Sequence, residues 1–188
     1  MTAGGNQSDE VLLRKAAAGD AEAFATLAER HTEGLYRLAW SLVGNRTDAE
    51  DVLQEAMVGA YKNARTFQGR SAVRTWLGQI VARQAAAFRR SRRIRKTAVL
   101  DEQAMESPAT GDVESGVDQR EDLLQVLKQM SNEYREVIVL RELENMSYED
   151  IATALGLPRG TVESRLFRAR AELRELLTEQ GYGRGDGK

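Results

Sequence analysis

Cysteine is absent from this 188-residue chain and histidine occurs once, at His31. Without cysteine there is no disulfide, no thiolate metal site and no cysteine nucleophile, which fits a reducing cytoplasm. A lone histidine assembles no metal cluster, so no metal and no cofactor are expected. No apolar run approaches the ~20 residues a membrane span needs. The N-terminal MTAGGNQSDE also lacks the basic-then-apolar pattern of a signal peptide. The expectation is therefore a soluble cytoplasmic protein with no membrane insertion. The glycine-rich GYGRGDGK lacks the spacing of a phosphate-binding loop, and no enzyme is expected.

Net charge is small, formally −2, but the average hides an asymmetry. From Arg83 to Lys96 stand seven basic residues and no acid; from Asp101 to Asp122 stand eight acids against Arg120 alone. Local fields, not the total, steer association. The basic run suits a phosphate anchor, a solvated helix end or a targeting signal, and a nucleic-acid-reading element beside it favours the first.

Such an element can be read between Ser147 and Leu177. Ser147-Tyr148-Glu149-Asp150 has the form of a capped helix start. Tyr148, Ile151, Ala152 and Leu155 then recur at i, i+3, i+4 and i+7. Gly156 supplies a left-handed C-cap, and Pro158 fits the first turn of a new helix. Val162, Leu166, Ala169, Leu173 and Leu177 carry that helix's apolar stripe. A short helix, a glycine turn and a longer basic helix make a helix-turn-helix, whose second helix lies in a major groove. Its far face holds Gly160, Ser164, Phe167, Arg168 and Ala171, edged by Thr161 and Arg165 on one side and Glu163 on the other. Arginines donate to guanine or phosphate, Ser164 bonds either, Glu163 accepts from cytosine, and Phe167 suits a thymine methyl.

Helices are read through the rest of the chain, with no convincing strand. Ser8 and Asp20 cap the first two, and Gly44-Asn45 ends the second. Thr47-Asp48-Ala49-Glu50 reads as the cap of a third, and Ser71 caps a fourth that runs into the arginines. Pro108, Gly111 and Gly116 among acids mark a flexible linker. Leu123, Leu124, Leu127 and Met130 mark a fifth helix, and Ser131 caps a sixth. The expected fold is all-α, with small helical domains at 8–96 and 121–180 joined by a flexible acidic linker over 97–120.

Two blocks, DAEDVLQEAMVGAYKNARTFQGRSAVRTWLGQI (Asp48 to Ile80) and MSYEDIATALGLPRGTVESRLFRARAELREL (Met146 to Leu176), in this order closely resemble those of bacterial sigma-70 factors of the extracytoplasmic-function (ECF) group. The resemblance implies a sigma factor that binds core RNA polymerase and directs promoter-specific initiation. The first domain would correspond to region 2, reading and melting the −10 element, and the second to region 4, reading the −35 element. Asp48, Asp51 and Glu55 form an acidic stripe at i, i+3 and i+7. With Glu50 and Gln54 they match family positions that dock on the β′ coiled coil; the β subunit is an implied contact of the chain. The implied −10 contacts are Arg65, Phe67, Gln68, Gly69, Arg70, Arg74, Trp76, Arg83, Arg89 and Arg90. An unstacked base needs a pocket, a stacking surface and nearby positive charge. The Trp76 ring is expected in the core, with one edge at the DNA. The implied −35 contacts are Arg159, Thr161, Glu163, Ser164, Arg165, Phe167 and Arg168. Many relatives carry asparagine at Arg83, aspartate at Ala87 and a basic residue at Glu163, so promoter sequences do not transfer. An anti-sigma factor is the implied regulator. The competing reading is a one-component helix-turn-helix regulator, which would need a ligand pocket or dimerisation helix that the first domain does not plainly offer.

Overall fold

The computed structural model describes residues 7–99 and 119–180, with side chains placed for 7–95 and 123–180. The expected linker lies almost wholly outside the described residues. Those residues form α1 (Asp9–Ala17), α2 (Ala21–Val43), α3 (Arg46–Lys62), α4 (Val73–Val99), α5 (Gln119–Gln129), α6 (Asn132–Ile138), α7 (Tyr148–Leu155) and α8 (Arg159–Glu179). A 3₁₀ turn, Ala64–Thr66, follows α3, and a π turn, Val139–Leu143, continues α6. Among the described residues there is no strand.

Local chemistry sets most of the boundaries. The Asp20 carboxylate accepts the Ala23 N–H at 3.0 Å, and Gly44 closes α2 in the left-handed region at φ 88°. That reversal leaves Asn45 extended, and its side chain accepts the Asp48 N–H at 2.8 Å. Asn45 therefore caps α3, and Thr47 lies inside the helix. Similarly, α4 starts at Val73, two residues beyond Ser71, where the first side chain of its buried stripe meets the core. Ser8 and Ser131 occupy N-cap positions without a side-chain bond to the helix. The π turn had no expectation in the sequence: it forms as Glu144 N–H reaches Val139 C=O, and Asn145 at φ 53° turns the chain toward α7.

The first unit, α1–α4, buries Leu13, Leu27, Leu42, Leu77 and Val81. Alanines at 49, 56 and 60 on α3 and at 82 and 85 on α4 are buried, allowing the helices close approach. The second unit, α5–α8, closes around Leu127, Ile138, Leu140, Ile151 and Leu166. Arg135 is buried there and donates to the carbonyls of Leu127, Lys128 and Met130, satisfying the end of α5.

The two units pack face to face, α4 against α7, and their cores are continuous. Met146, 1% exposed, fills the notch left by Gly78. A Cβ at Gly78 would lie 2.9 Å from Met146 Cε and 3.5 Å from Leu38 Cδ2. Polar pairs flank this contact. Gln79 Nε2 donates to Asp150 Oδ1 at 2.7 Å, and Arg74 Nη2 to Glu144 Oε2 at 3.1 Å. Arg89 donates from Nη1 to the Leu42 carbonyl at 2.6 Å and pairs through Nη2 with Glu136.

Candidate nucleic-acid interface

The helix-turn-helix is built as its residues dictate. The Asp150 N–H donates to Ser147 Oγ at 3.1 Å and the Ser147 N–H to Asp150 Oδ2 at 3.3 Å, a complete capping box. Gly156 takes φ 66°, and Pro158 stands at the N-cap of α8. Val162, Leu166 and Ala169 anchor α8 in the second unit's core. That burial turns Glu163, Ser164, Phe167 and Arg168 to solvent. Phe167 is 78% exposed, a large apolar ring with no core role. Thr161 is half-buried, and its carbonyl accepts from Ser164 Oγ at 3.0 Å.

The arginines of this face differ in their engagement. Arg165 is held by Glu133 at 2.8 Å, beside a cleft between the two units. Arg159 is exposed but gripped: Nε donates to Glu163 Oε1 at 2.9 Å and Nη1 to Glu149 Oε1 at 2.5 Å. The hydrogen bond to Glu163, then the charge of Glu149, hold its guanidinium above the usual arginine value. Arg168 is exposed and, among the described residues, has no carboxylate within ion-pair distance.

In the first unit, a cleft of about 340 Å³ opens between α3 and α4, lined by Asn63, Trp76, Gln79, Ile80, Arg83 and Gln84 among others. Trp76 is half-buried, with Phe67 set edge-on to it at 5.6 Å between centroids. One ring thus serves the core and lines the cleft. Gln68, Gly69 and Arg70 stand exposed in the loop before α4, with Gly69 at φ 68°. Arg65 donates to the Ala17 carbonyl at 2.8 Å, finishing the end of α1. Arg83 and Arg90 are exposed, whereas Arg74 and Arg89 are engaged by the second unit. Burial first, then Arg135 and Arg90, lower the Arg89 pKa to about 10. Glu136 is the acid set against that cluster.

On α3, Glu50, Asp51, Gln54 and Glu55 are exposed. Asp48 departs from them: it is part-buried, bonded by Asn45 and by Arg92 Nη1 at 2.5 Å. Sequence reasoning missed Gln79 and the acids Glu133, Glu136, Glu144, Glu149 and Asp150. In sequence Glu149 and Asp150 belong to a helix cap and the other three acids to no motif; their arginine and glutamine partners, mostly far along the chain, carry no local signal.

Comparison with known proteins places these surfaces in context. Residues 27–94 match the family description "Sigma-70 region 2" and residues 120–173 match "Sigma-70, region 4". The chain is 35% identical over 171 residues to "ECF RNA polymerase sigma factor SigM" of Mycobacterium tuberculosis, covering 91% of this chain and 85% of that one. It is 33% identical over 184 residues to "RNA polymerase sigma-H factor" of Pseudomonas aeruginosa, covering 91% and 94%. Among solved structures, the sigma factor RpoE in complex with the anti-sigma factor NepR from Bartonella quintana matches at TM-score 0.64 and 30% identity, over 82% of this chain and 96% of that one. CnrH in complex with the cytosolic domain of CnrY matches at TM-score 0.60 and 30% identity, over 92% and 99%.

Proposed function

This chain belongs to the sigma-70 family, in its ECF group, and on that premise we propose how its surfaces divide the work of promoter-specific initiation. The observation that carries this reading is the presence of both family regions in one chain, in order, each coinciding with a helical unit. A one-component regulator accounts for the helix-turn-helix but not for region 2.

The first unit, 8–96, docks core polymerase through Glu50, Asp51, Gln54 and Glu55, with Asp48 set back in its ion pair. The same unit reads the −10 element through the loop Arg65–Arg70 and the cleft at Trp76 and Arg83. That cleft supplies a stacking ring, carboxamides and a cation, which is what a flipped base requires. The second unit, 121–180, reads the −35 element with the outer face of α8, and 97–120 joins the two. Arg74 and Arg89 are released for DNA when the two units part, because Glu144 and Glu136 hold them in the closed arrangement. The partners are core RNA polymerase and promoter DNA. An anti-sigma factor is the third partner, as in the complexes of the two structural neighbours. The chain acts as an initiation subunit, without catalytic residues of its own, in the cytoplasm. Among the described residues, no helix is long and apolar enough to cross a membrane.

The deciding experiment is transcription by purified core polymerase, with and without this protein, on a library of fragments from its host genome. Discrete starts that appear only with the protein establish the reading. Active core and folded protein without such starts would overturn it. At finer scale, Arg168→Ala is expected to cost about 1–3 kcal/mol at one −35 position if the side chain reads a base. Binding measured on every single-base variant of the element checks this: an equal loss on all of them assigns Arg168 to a phosphate.

A further inference from the structure

The N-terminal corner of α8 joins two of the expected −35 residues, Arg159 and Glu163, to an acid outside that set, Glu149. Arg159 stands at the first helical position, where the positive end of the helix dipole disfavours a cation. Two carboxylates hold it there, Glu163 from one turn along α8 and Glu149 from the first turn of α7. A guanidinium has five N–H donors. One is spent on Glu163 and one on Glu149, which leaves three, in a plane fixed from two sides.

We propose that Glu149 is a positioning residue for promoter reading, which with Glu163 presents the Arg159 guanidinium to a guanine edge at one end of the −35 element. The proposal rests on the sigma-factor reading above. Three physical points carry it. Recognition helices touch base edges with their N-terminal residues, and Arg159 is the first residue of α8. The group presents only donors, and guanine offers two adjacent acceptors, O6 and N7, in the major groove. Finally, one cation and two anions give the cluster a net charge of −1. Such a cluster disfavours the full charge of a phosphate more than the partial charges of a neutral base edge. Arg168, which has no such clamp among the described residues, is the side chain of this face suited to phosphate as well as base.

Glu149 contributes through Arg159 and not by touching DNA. An unheld arginine spreads over many rotamers, and holding the fork in one plane reduces what is lost on binding. A purely local role for Glu149, offsetting the dipole-disfavoured cation, would move thermal stability and leave base preference alone. The two roles are therefore separable.

The test uses holoenzyme assembled from the full chain and core polymerase, on promoters randomised across the −35 element, with transcripts sequenced. Wild type is expected to favour guanine at one position by about 5- to 150-fold, the range of one good bidentate contact. Arg159→Ala should erase that preference while leaving the salt dependence of binding unchanged, because no phosphate contact is lost. Glu149→Gln should lower the preference several-fold at that same position, and Glu149→Asp should restore part of it. A base profile unchanged by Glu149→Gln, or a loss spread evenly over all sequences, would overturn the proposal while leaving the sigma-factor reading intact. Failure of the wild-type holoenzyme to start at any promoter would overturn both.

Discussion

Replacing Asp51 and Glu55 together by lysine is expected to abolish binding to core RNA polymerase while leaving the fold unchanged. Both carboxylates are exposed on α3, whose opposite face carries the buried Ala49, Val52, Ala56 and Ala60. They stand at i and i+4, so they repel one another in the free protein and a cationic partner relieves that. Exposed substitutions away from buried features typically change stability by less than about 0.5 kcal/mol. Placing like charges across an interface costs several kcal/mol, and each 1.4 kcal/mol is tenfold in affinity. A loss of about 1,000-fold or more follows. Affinity of the labelled protein for core polymerase, measured beside a thermal melt, checks both halves. Unchanged affinity would remove polymerase docking from this face. Asp48 is the wrong residue for the experiment, because its ion pair with Arg92 and its bond from Asn45 make it part of the fold.

The second large effect is expected at Glu136. Arg89 is mostly buried at the junction of the units, with Arg135 and Arg90 near enough to lower its pKa. Glu136→Ala leaves that guanidinium without its counter-charge, and breaking a buried pair in this way costs about 3–5 kcal/mol. The cost falls on the contact between units, since Glu136 stands on α6 and Arg89 on α4. The expected result is a population shifted toward parted units. Solution scattering should show a larger radius of gyration for the free protein. Its affinity for promoter DNA should rise about tenfold or more as Arg74 becomes available. Gly78→Leu provides a second route to the same state, because even its Cβ would lie 2.9 Å from Met146 Cε, and the substitution removes no charged group. If both variants keep the wild-type dimensions and DNA affinity, the closed contact does not restrain the chain.

Much of the fold was legible because its signals are local. The Ser147–Asp150 capping box, the left-handed Gly156 and the Val162–Leu166–Ala169 stripe each lie within a few residues, and the structure contains all three. The second helix of this motif could be placed on a wheel, and its outward Phe167 and Arg168 stand where the wheel put them. Caps were less secure. Asn45 displaced Thr47 because the left-handed Gly44 set the direction in which α3 begins, so one residue's backbone decided its neighbour's role.

By itself, the sequence determined the helices, their apolar faces, the helix-turn-helix and the family. The first three follow from periodicity and capping over short spans of chain, and the family from the resemblance carried by two blocks in their order. Only the tertiary structure decided which charged groups are engaged. Gln79 meets Asp150 across 71 residues, Arg74 meets Glu144 across 70, and Arg89 finds Leu42 across 47. An arginine in sequence has the same charge whether it will face water, a carboxylate or DNA. Its surroundings are fixed by how two amphipathic units dock, and here that docking turned on a glycine notch that admits one methionine.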